Sequence, residues 1–273
     1  MVGESGCGKT TAAHLLLRLV EPDAGRVLFD GTDITGMGRS ALKKVRARLQ
    51  FVPQHPRTSL NPRSSIAASI AFNMRAHKVP AEVRRRRVAE LLERVGLNAE
   101  YGHRYPHQLS GGQLQRVAIA RALATDPDVV VCDEAVSALD KSVQAQVLNL
   151  LADLQRDLGL ALVFISHDLA VVEHLADTVA VMYLGKVVER APRQSLWSNP
   201  RHPYTKALLS AVPGRQQSRI VLSADLPSPA NPPSGCGFRT RCPDVVDVCS
   251  SAWPALTTVQ PGHRVACIHE QEH

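Results

Sequence analysis

Residues 109–140 constrain this chain most, because two short polar motifs sit at either end of an apolar stretch. The segment opens with Leu109-Ser110-Gly111-Gly112-Gln113 and closes on Val129-Val130-Val131-Cys132-Asp133-Glu134, with Ser137-Ala138-Leu139-Asp140 just beyond. Val117, Ile119, Ala120, Leu123 and Ala124 recur at helical spacing, so the first motif reads as a loop opening an amphipathic helix. Small residues at such a helix start let an anion approach the unpaired N–H groups and the positive dipole end. Asp126-Pro127 predicts the end of that helix. Residues 129–132 are an apolar run short enough for a buried parallel strand, which delivers Asp133 and Glu134 to its C-terminal edge, where open α/β sheets bind ligands.

The 273 residues allow one large domain or two unequal ones. With 44% apolar and 21% charged residues the chain reads as globular, and no apolar run is long enough to span a bilayer, which predicts a soluble chain. The start carries no basic-then-apolar signal segment, which predicts a cytoplasmic location with cysteines reduced or metal-bound. The net charge of +7 reads as a diffuse surface excess, since its densest run, Arg84 to Arg87, lies inside a helical pattern. Aromatic residues make up 4% of the chain, which argues against a stacking platform for single-stranded nucleic acid.

At the start of the chain, Gly3-Glu4-Ser5-Gly6-Cys7-Gly8-Lys9-Thr10, followed by Thr11, matches the phosphate-binding loop G-x-x-x-x-G-K-[ST]. Its glycines permit a nest of N–H donors, a lysine at that position reaches the β- and γ-phosphates, and the hydroxyl of Thr10 can ligate Mg²⁺. His14, Leu15, Leu16, Leu17 and Leu19 continue as a helix expected to stop around Pro22 and Gly25. Only Met1 and Val2 precede the loop, where a buried strand is expected. Residues 26–31 read as a strand ending in a turn, residues 49–53 as a strand leading to Gln54, and residues 61–125 as helical. Residues 160–165 form another apolar strand run that leads to Ser166-His167-Asp168. Alone, Gln54 reads as a surface amide and His167 as a structural histidine; at the same sheet edge as the two carboxylates, His167 points to chemistry.

In order along the chain, the phosphate loop, Gln54, the LSGGQ motif, the aspartate–glutamate pair, Ser137-Ala138-Leu139-Asp140 and His167 resemble the ATP-binding cassette (ABC) transporter ATPases. Within that family the likeness is to peptide/nickel importers of the dipeptide and oligopeptide permease type. It is carried by Thr58-Ser59-Leu60-Asn61-Pro62, by Gln144-Ala145-Gln146-Val147-Leu148-Asn149-Leu150-Leu151 and by His202-Pro203-Tyr204-Thr205-Lys206-Ala207-Leu208-Leu209. The resemblance implies an α/β phosphate-loop ATPase fold with a mostly parallel sheet, a helical insertion and a small C-terminal extension. The implied organisation is a core over 1–60 and 126–199, a helical subdomain over 61–125 and the extension over 200–273.

It also implies roles. Asp133, Thr10 and Gln54 hold Mg²⁺, Glu134 is the general base on the attacking water, and His167 senses or stabilises the γ-phosphate. Gln54 also couples the site to the membrane partner. Gly3, Ser5, Gly6, Cys7, Gly8, Lys9, Thr10 and Thr11 bind ATP from one subunit, while Ser110, Gly111, Gly112 and Gln113 close over it from another and Asp140 communicates across the dimer. Implied partners are a second ATPase subunit in a homo- or heterodimer, two membrane permeases and an extracytoplasmic solute-binding protein, with no nucleic acid. The place of action is the cytoplasmic face of the inner membrane. Peptides are the expected cargo; nickel or another small solute, and a non-catalytic fragment, are the alternatives.

Two departures from the family pattern stand out. Ala135 replaces the usual proline after the glutamate, a change that removes no donor or charge. The upstream hairpin, adenine-stacking aromatic and strand are absent before Met1, which reads as a truncated or misassigned start. Residues 179–184, 185–186 and 187–189 read as strand, turn and strand; Pro200, Pro203 and Pro213 accompany a short helix, and Pro227, Pro229, Pro232 and Pro233 mark a linker. In the tail, Cys236, Cys242, Cys249 and Cys267 are spaced C-x5-C-x6-C-x17-C, without the C-x2-C pairs that zinc favours. Four thiolates can hold a [4Fe–4S] cluster, and the resemblance to four-cysteine tails in peptide-importer ATPases points the same way, with zinc or unmetallated thiols as alternatives.

Overall fold

The computed structural model describes residues 1–212, 220–222 and 225–271, so Pro213 lies outside the described residues. In chain order the elements are α1 (Lys9–Leu16), β1 (Leu28–Phe29), β2 (Thr32–Asp33), α2 (Arg39–Arg48), β3 (Leu49–Val52), α3 (Pro56–Ser59), α4 (Ile66–Ala76), α5 (Ala81–Arg94), α6 (Gly111–Ala122) and β4 (Val129–Asp133). They continue with α7 (Lys141–Leu158), β5 (Ala161–Ile165), α8 (Leu169–Leu175), β6 (Thr178–Tyr183), β7 (Lys186–Pro192), α9 (Arg193–Ser198), α10 (Pro203–Ser210), β8 (Thr257–Gln260) and β9 (His263–Val265). The chain divides into two compact units, one made of Met1–Lys9 with Ser166–His273 and the other of Thr10–Ile165.

In the unit Thr10–Ile165, β4 lies between β3 and β5 and is parallel to both. Val130, Val131 and Cys132 are buried, as expected for a strand paired on both edges and covered on both faces. Burial pushes the Cys132 thiol up to about 12, with the neighbouring Asp133 adding to it, so this cysteine is an inert core residue. Between β3 and β4 the chain is helical with no strand. Ile66, Ile70 and Met74 of α4, Val88, Leu91 and Leu92 of α5, and Leu114, Val117 and Ala118 of α6 supply its buried faces. α7 is amphipathic, capped by Asp140 at its start and ended by Gly159 in the left-handed region (φ 63°).

The sequence placed the end of the first helix too late. α1 stops at Leu16 because Arg18 adopts φ 53° and the N–H of Leu19 turns back to His14 O at 2.8 Å. The strand expected over 26–31 is a two-residue arm of the β1–β2 hairpin, turned at Asp30 (φ 51°) and Gly31 (φ 72°).

In the unit Met1–Lys9 with Ser166–His273, an antiparallel sheet runs β6-β7-β9-β8. The two strands β8 and β9 come from the cysteine-bearing tail, so the extension adds half of this sheet, a role its composition did not announce. Val2 makes parallel bridges to Ser166 and to Val181. Its N–H donates to Ala180 O at 2.9 Å, its carbonyl accepts from Met182 N at 2.7 Å, and Ser166 N donates to Met1 O at 3.1 Å. Met1 and Val2 thus occupy the strand position that should precede a phosphate loop. The core packs Val2, Val179, Val181, Tyr183, Val188, Tyr204, Leu209 and Phe238 together.

One buried polar joint ties the tail to this core. The Glu189 carboxylate is fully buried and accepts from Arg201 N and His202 N, both at 2.9 Å, and pairs with His263 Nε2 at 2.7 Å. His202 caps α10 by accepting from Tyr204 N through Nδ1 at 3.1 Å. Burial, with a smaller contribution from Lys206, lowers the His202 pKa from 6.5 to about 3. The ring is therefore neutral in the folded chain but takes up a proton on unfolding below its ordinary pKa. This costs stability progressively as pH falls from about 6.5, at up to about 1.4 kcal/mol per unit. Replacing His202 with Asn keeps a capping acceptor and removes the titration. Urea unfolding between pH 7.5 and 5 should show a shallower loss of stability in His202→Asn than in the unaltered chain.

Candidate functional site

The residues expected to act are distributed over both units. Gly3 to Lys9 and His167 belong to the first, whereas Thr10, Thr11, Gln54, Ser110 to Gln113, Asp133, Glu134 and Asp140 belong to the second.

In the first unit, the phosphate loop turns through Gly6 (φ 81°) and Gly8 (φ 99°), conformations that side-chain-bearing residues rarely adopt. A Cβ at Gly8 would meet Gly185 Cα in ordinary contact at 3.4 Å, so it is the backbone conformation that calls for glycine. Gly185 N donates to Cys7 O at 2.8 Å, so the β6–β7 turn holds the loop from below. Lys9 is buried, and its Nζ donates to Gly3 O at 2.8 Å and Glu4 O at 3.0 Å, with Cys7 Sγ at 4.0 Å. Burial pushes the Cys7 thiol up, which leaves it a packing residue under the loop. Ser5 and Gly6 are exposed, so the loop's concave backbone faces solvent where a phosphate could enter. His167 is exposed directly after Ser166, whose hydroxyl accepts from Asp168 N at 2.9 Å.

In the second unit, β3 and β4 end side by side and bring an amide and two carboxylates to one edge. Asp133 is buried at the last residue of β4, and Glu134 follows, half-buried, with φ 44°. A non-glycine residue in that region carries strain of about 1–3 kcal/mol, which the fold must hold in place. Here Glu134 N donates to Ile165 O at 3.0 Å, and Gln54 Nε2 donates to Glu134 Oε2 at 2.9 Å. Strand pairing thus aims the backbone while the amide aims the carboxylate. Ala135, the residue after Glu134, is buried. By donor type, Gln54, Asp133 and the exposed Thr10 would offer Mg²⁺ the oxygens it prefers, and the positive φ of Gly6 and Gly8 suits a backbone nest for phosphate.

The LSGGQ motif caps α6. Ser110 Oγ accepts from Gln113 N at 3.3 Å while Gln113 Oε1 accepts from Ser110 N at 3.0 Å, and Gln113 Nε2 reaches Tyr101 OH at 3.2 Å. The two glycines differ. A Cβ on Gly112 would stand 2.5 Å from Val143 Cγ1, so this glycine is required by the close approach of α6 and α7. Gly111 has no such neighbour and is exposed beside Ser110, leaving the helix start open. Asp140 Oδ1 accepts from Val143 N at 2.9 Å, a helix cap in addition to whatever it does in an assembly.

The metal expected in the tail is not supported. Cys236, Cys242, Cys249 and Cys267 do come together in the first unit, around a cavity of ≈ 10 Å³ that also touches Phe238 and Pro203. Among the described residues no group of three or more His, Cys, Asp or Glu side chains is arranged to hold a metal ion. Burial pushes Cys242 up to about 11 and raises Cys236 and Cys267, so these are neutral thiols packed as small apolar residues beside Phe238.

The sequence reading missed how Glu4 of the loop is held, by Arg241 and by Tyr204. Arg241, in the tail, is buried and grips Glu4 with two hydrogen bonds, Nη1 to Oε2 at 2.7 Å and Nη2 to Oε1 at 3.1 Å. Tyr204 OH accepts from Glu4 N at 2.9 Å. Nothing in the chain order links positions 4, 204 and 241, so no spacing pattern could have announced them.

Comparison with known proteins agrees with this geometry. The ABC transporter family model matches residues 1–137, and the model described as the oligopeptide/dipeptide transporter C-terminal region matches residues 188–249. The probable peptide ABC transporter ATP-binding protein y4tS of Sinorhizobium fredii is 51% identical over 98% of this chain and 77% of its own length. The oligopeptide transport ATP-binding protein AppF of Bacillus subtilis is 48% identical over 98% of this chain and 84% of its own. Among solved structures, cbiO1 of Clostridium perfringens, part of the transporter complex cbiONQ, superposes with TM-score 0.66 at 30% identity, covering 72% of this chain and 78% of that one. The ATP-binding cassette MJ0796 bound to ADP and Pi gives TM-score 0.64 at 30% identity, covering 70% of this chain and 83% of that one. A phosphate loop, a carboxylate pair at a parallel sheet edge and a capped LSGGQ helix on this fold identify the chain as an ABC-type ATPase, a member of the ABC transporter family that carries the oligopeptide/dipeptide transporter C-terminal region.

Proposed function

We propose that the chain binds ATP with Mg²⁺ and hydrolyses it to drive uptake of di- and oligopeptides through two membrane permease subunits. The observation that carries the hydrolytic part is the Gln54–Glu134 hydrogen bond at 2.9 Å, which orients a half-buried carboxylate at the end of β4. Glu134 accepts the proton of the attacking water, a task for a carboxylate held in one direction and partly withdrawn from solvent. Lys9 leaves its carbonyl partners for the β- and γ-phosphates, and the N–H groups of the loop around Ser5, Gly6, Gly8, Thr10 and Thr11 take the phosphate oxygens. His167 contacts the γ-phosphate. Mg²⁺, held by Thr10, Gln54 and Asp133, neutralises phosphate charge when bound.

Ser110 and Gly111 are exposed at a helix start, as an element that closes over the nucleotide of a second ATPase subunit must be. Residues 61–125 act as the helical subdomain and 200–273 as the importer-specific extension of a core formed by the rest. Among the described residues no helix is long and apolar enough to cross a membrane, in keeping with a peripheral subunit that works on separate permeases at the cytoplasmic face. Peptide cargo is supported by the C-terminal region over 188–249 and by the names of the relatives y4tS and AppF, and an extracytoplasmic solute-binding protein delivers it.

Two measurements test this reading. Lys9→Ala should weaken binding of ATP with Mg²⁺ at least about tenfold by calorimetry, since charge-assisted bonds to phosphate are lost. In proteoliposomes containing the permeases and partner ATPase, the solute-binding protein loaded with di- or oligopeptide should raise ATP turnover. Stimulation by Ni²⁺ with no response to any peptide would contradict the peptide assignment.

A further inference from the structure

We propose that the C-terminal extension sets the nucleotide affinity of the phosphate loop through Arg241, a positioning residue that acts by holding Glu4. The proposal rests on the reading of this loop as the nucleotide site. Within the first unit, Glu4 is held at three points. Its carboxylate takes both guanidinium Nη atoms of Arg241, at 2.7 and 3.1 Å; its N–H goes to Tyr204 OH at 2.9 Å; and its carbonyl accepts Lys9 Nζ at 3.0 Å. The lysine that reaches for phosphate is therefore seated on a residue whose other groups belong to the tail and to α10.

The arginine is itself built in. Its side chain is 8% exposed against 29% for Glu4, unlike the exposed ion pairs that contribute little. Its N–H donates to Phe238 O at 2.9 Å, closing a turn whose Phe238 ring packs 5.3 Å from Tyr183 and 5.4 Å from Tyr204. Cys236 N donates to Cys249 O at 2.8 Å just before that turn, so the cysteine-lined packing fixes the backbone that presents Arg241. The hydrogen bonds that Arg241 donates to the Glu4 carboxylate hold the guanidinium pKa above its ordinary value. A bidentate arginine–carboxylate pair specifies direction as well as distance, which is what a loop of backbone donors needs to be ready for phosphate before ligand arrives.

A fluorescent ATP analogue with Mg²⁺, titrated into the purified chain, tests the proposal. Arg241→Ala and Glu4→Gln should each raise Kd about tenfold, and Arg241→Lys, which keeps charge but not the fork, should recover part of the loss. The combined variant should be no more than about twofold worse than either single one, because both remove the same contact. In steady state, KM for ATP should rise about tenfold while kcat falls less than about threefold. Native affinity in folded Arg241→Ala, or a double variant whose losses multiply, overturns the proposal. If Arg241→Ala fails to fold, Glu4→Gln alone decides, since undiminished affinity in it is equally fatal. An unaltered chain that does not bind the analogue instead overturns the nucleotide reading on which this inference stands.

Discussion

Parallel pairing of β4 on both of its edges is the constraint from which the chemistry follows. A strand of Val129, Val130, Val131 and Cys132 can be buried only if its backbone groups are satisfied by β3 and β5, and this pairing fixes where it ends. At that end the backbone turns through the left-handed conformation of Glu134, held by the bond to Ile165 O. A strained carboxylate aimed by Gln54 is the result. The energy that burial of the strand provides is what allows an unfavourable local geometry to persist at the edge.

The other unit solves a different problem. A phosphate loop must keep several N–H donors pointing one way before any phosphate arrives. Here the loop is supported from outside. Gly185 backs Cys7, Tyr204 and Arg241 hold Glu4, and Lys9 is parked on two carbonyls. The tail, which reads as an appendage in sequence, supplies two strands to the antiparallel sheet and the arginine that grips the loop. Its four cysteines, three of them buried and Cys242 half-buried, line one small cavity.

How far the sequence could be read depended on the range of the physics involved. β4, α6 with its Ser110 cap, the helical stretch after Gln54 and the β6–β7 pair were legible, because apolar periodicity and capping act over a few residues. The early stop of α1 was not, since Arg18 adopts a conformation its residue type disfavours. The joint of Glu189, His202 and His263 and the grip of Arg241 on Glu4 were invisible for another reason. They couple positions 74 and 237 residues apart, and only tertiary packing decides which partners meet. The cysteine spacing did foretell that the four thiols meet around one cavity, but convergence alone does not distinguish packing from metal binding.

The most direct test of the account is single-turnover hydrolysis of radiolabelled ATP by the chain assembled with its partner ATPase and permeases, comparing the unaltered protein with Glu134→Gln. The account predicts that Glu134→Gln still binds ATP with Mg²⁺ but releases phosphate at least about a hundredfold more slowly, because a neutral amide cannot take the proton of water. Hydrolysis at the native rate in that variant would contradict the assignment of Glu134 as the base, and with it the role given to the edge of β4.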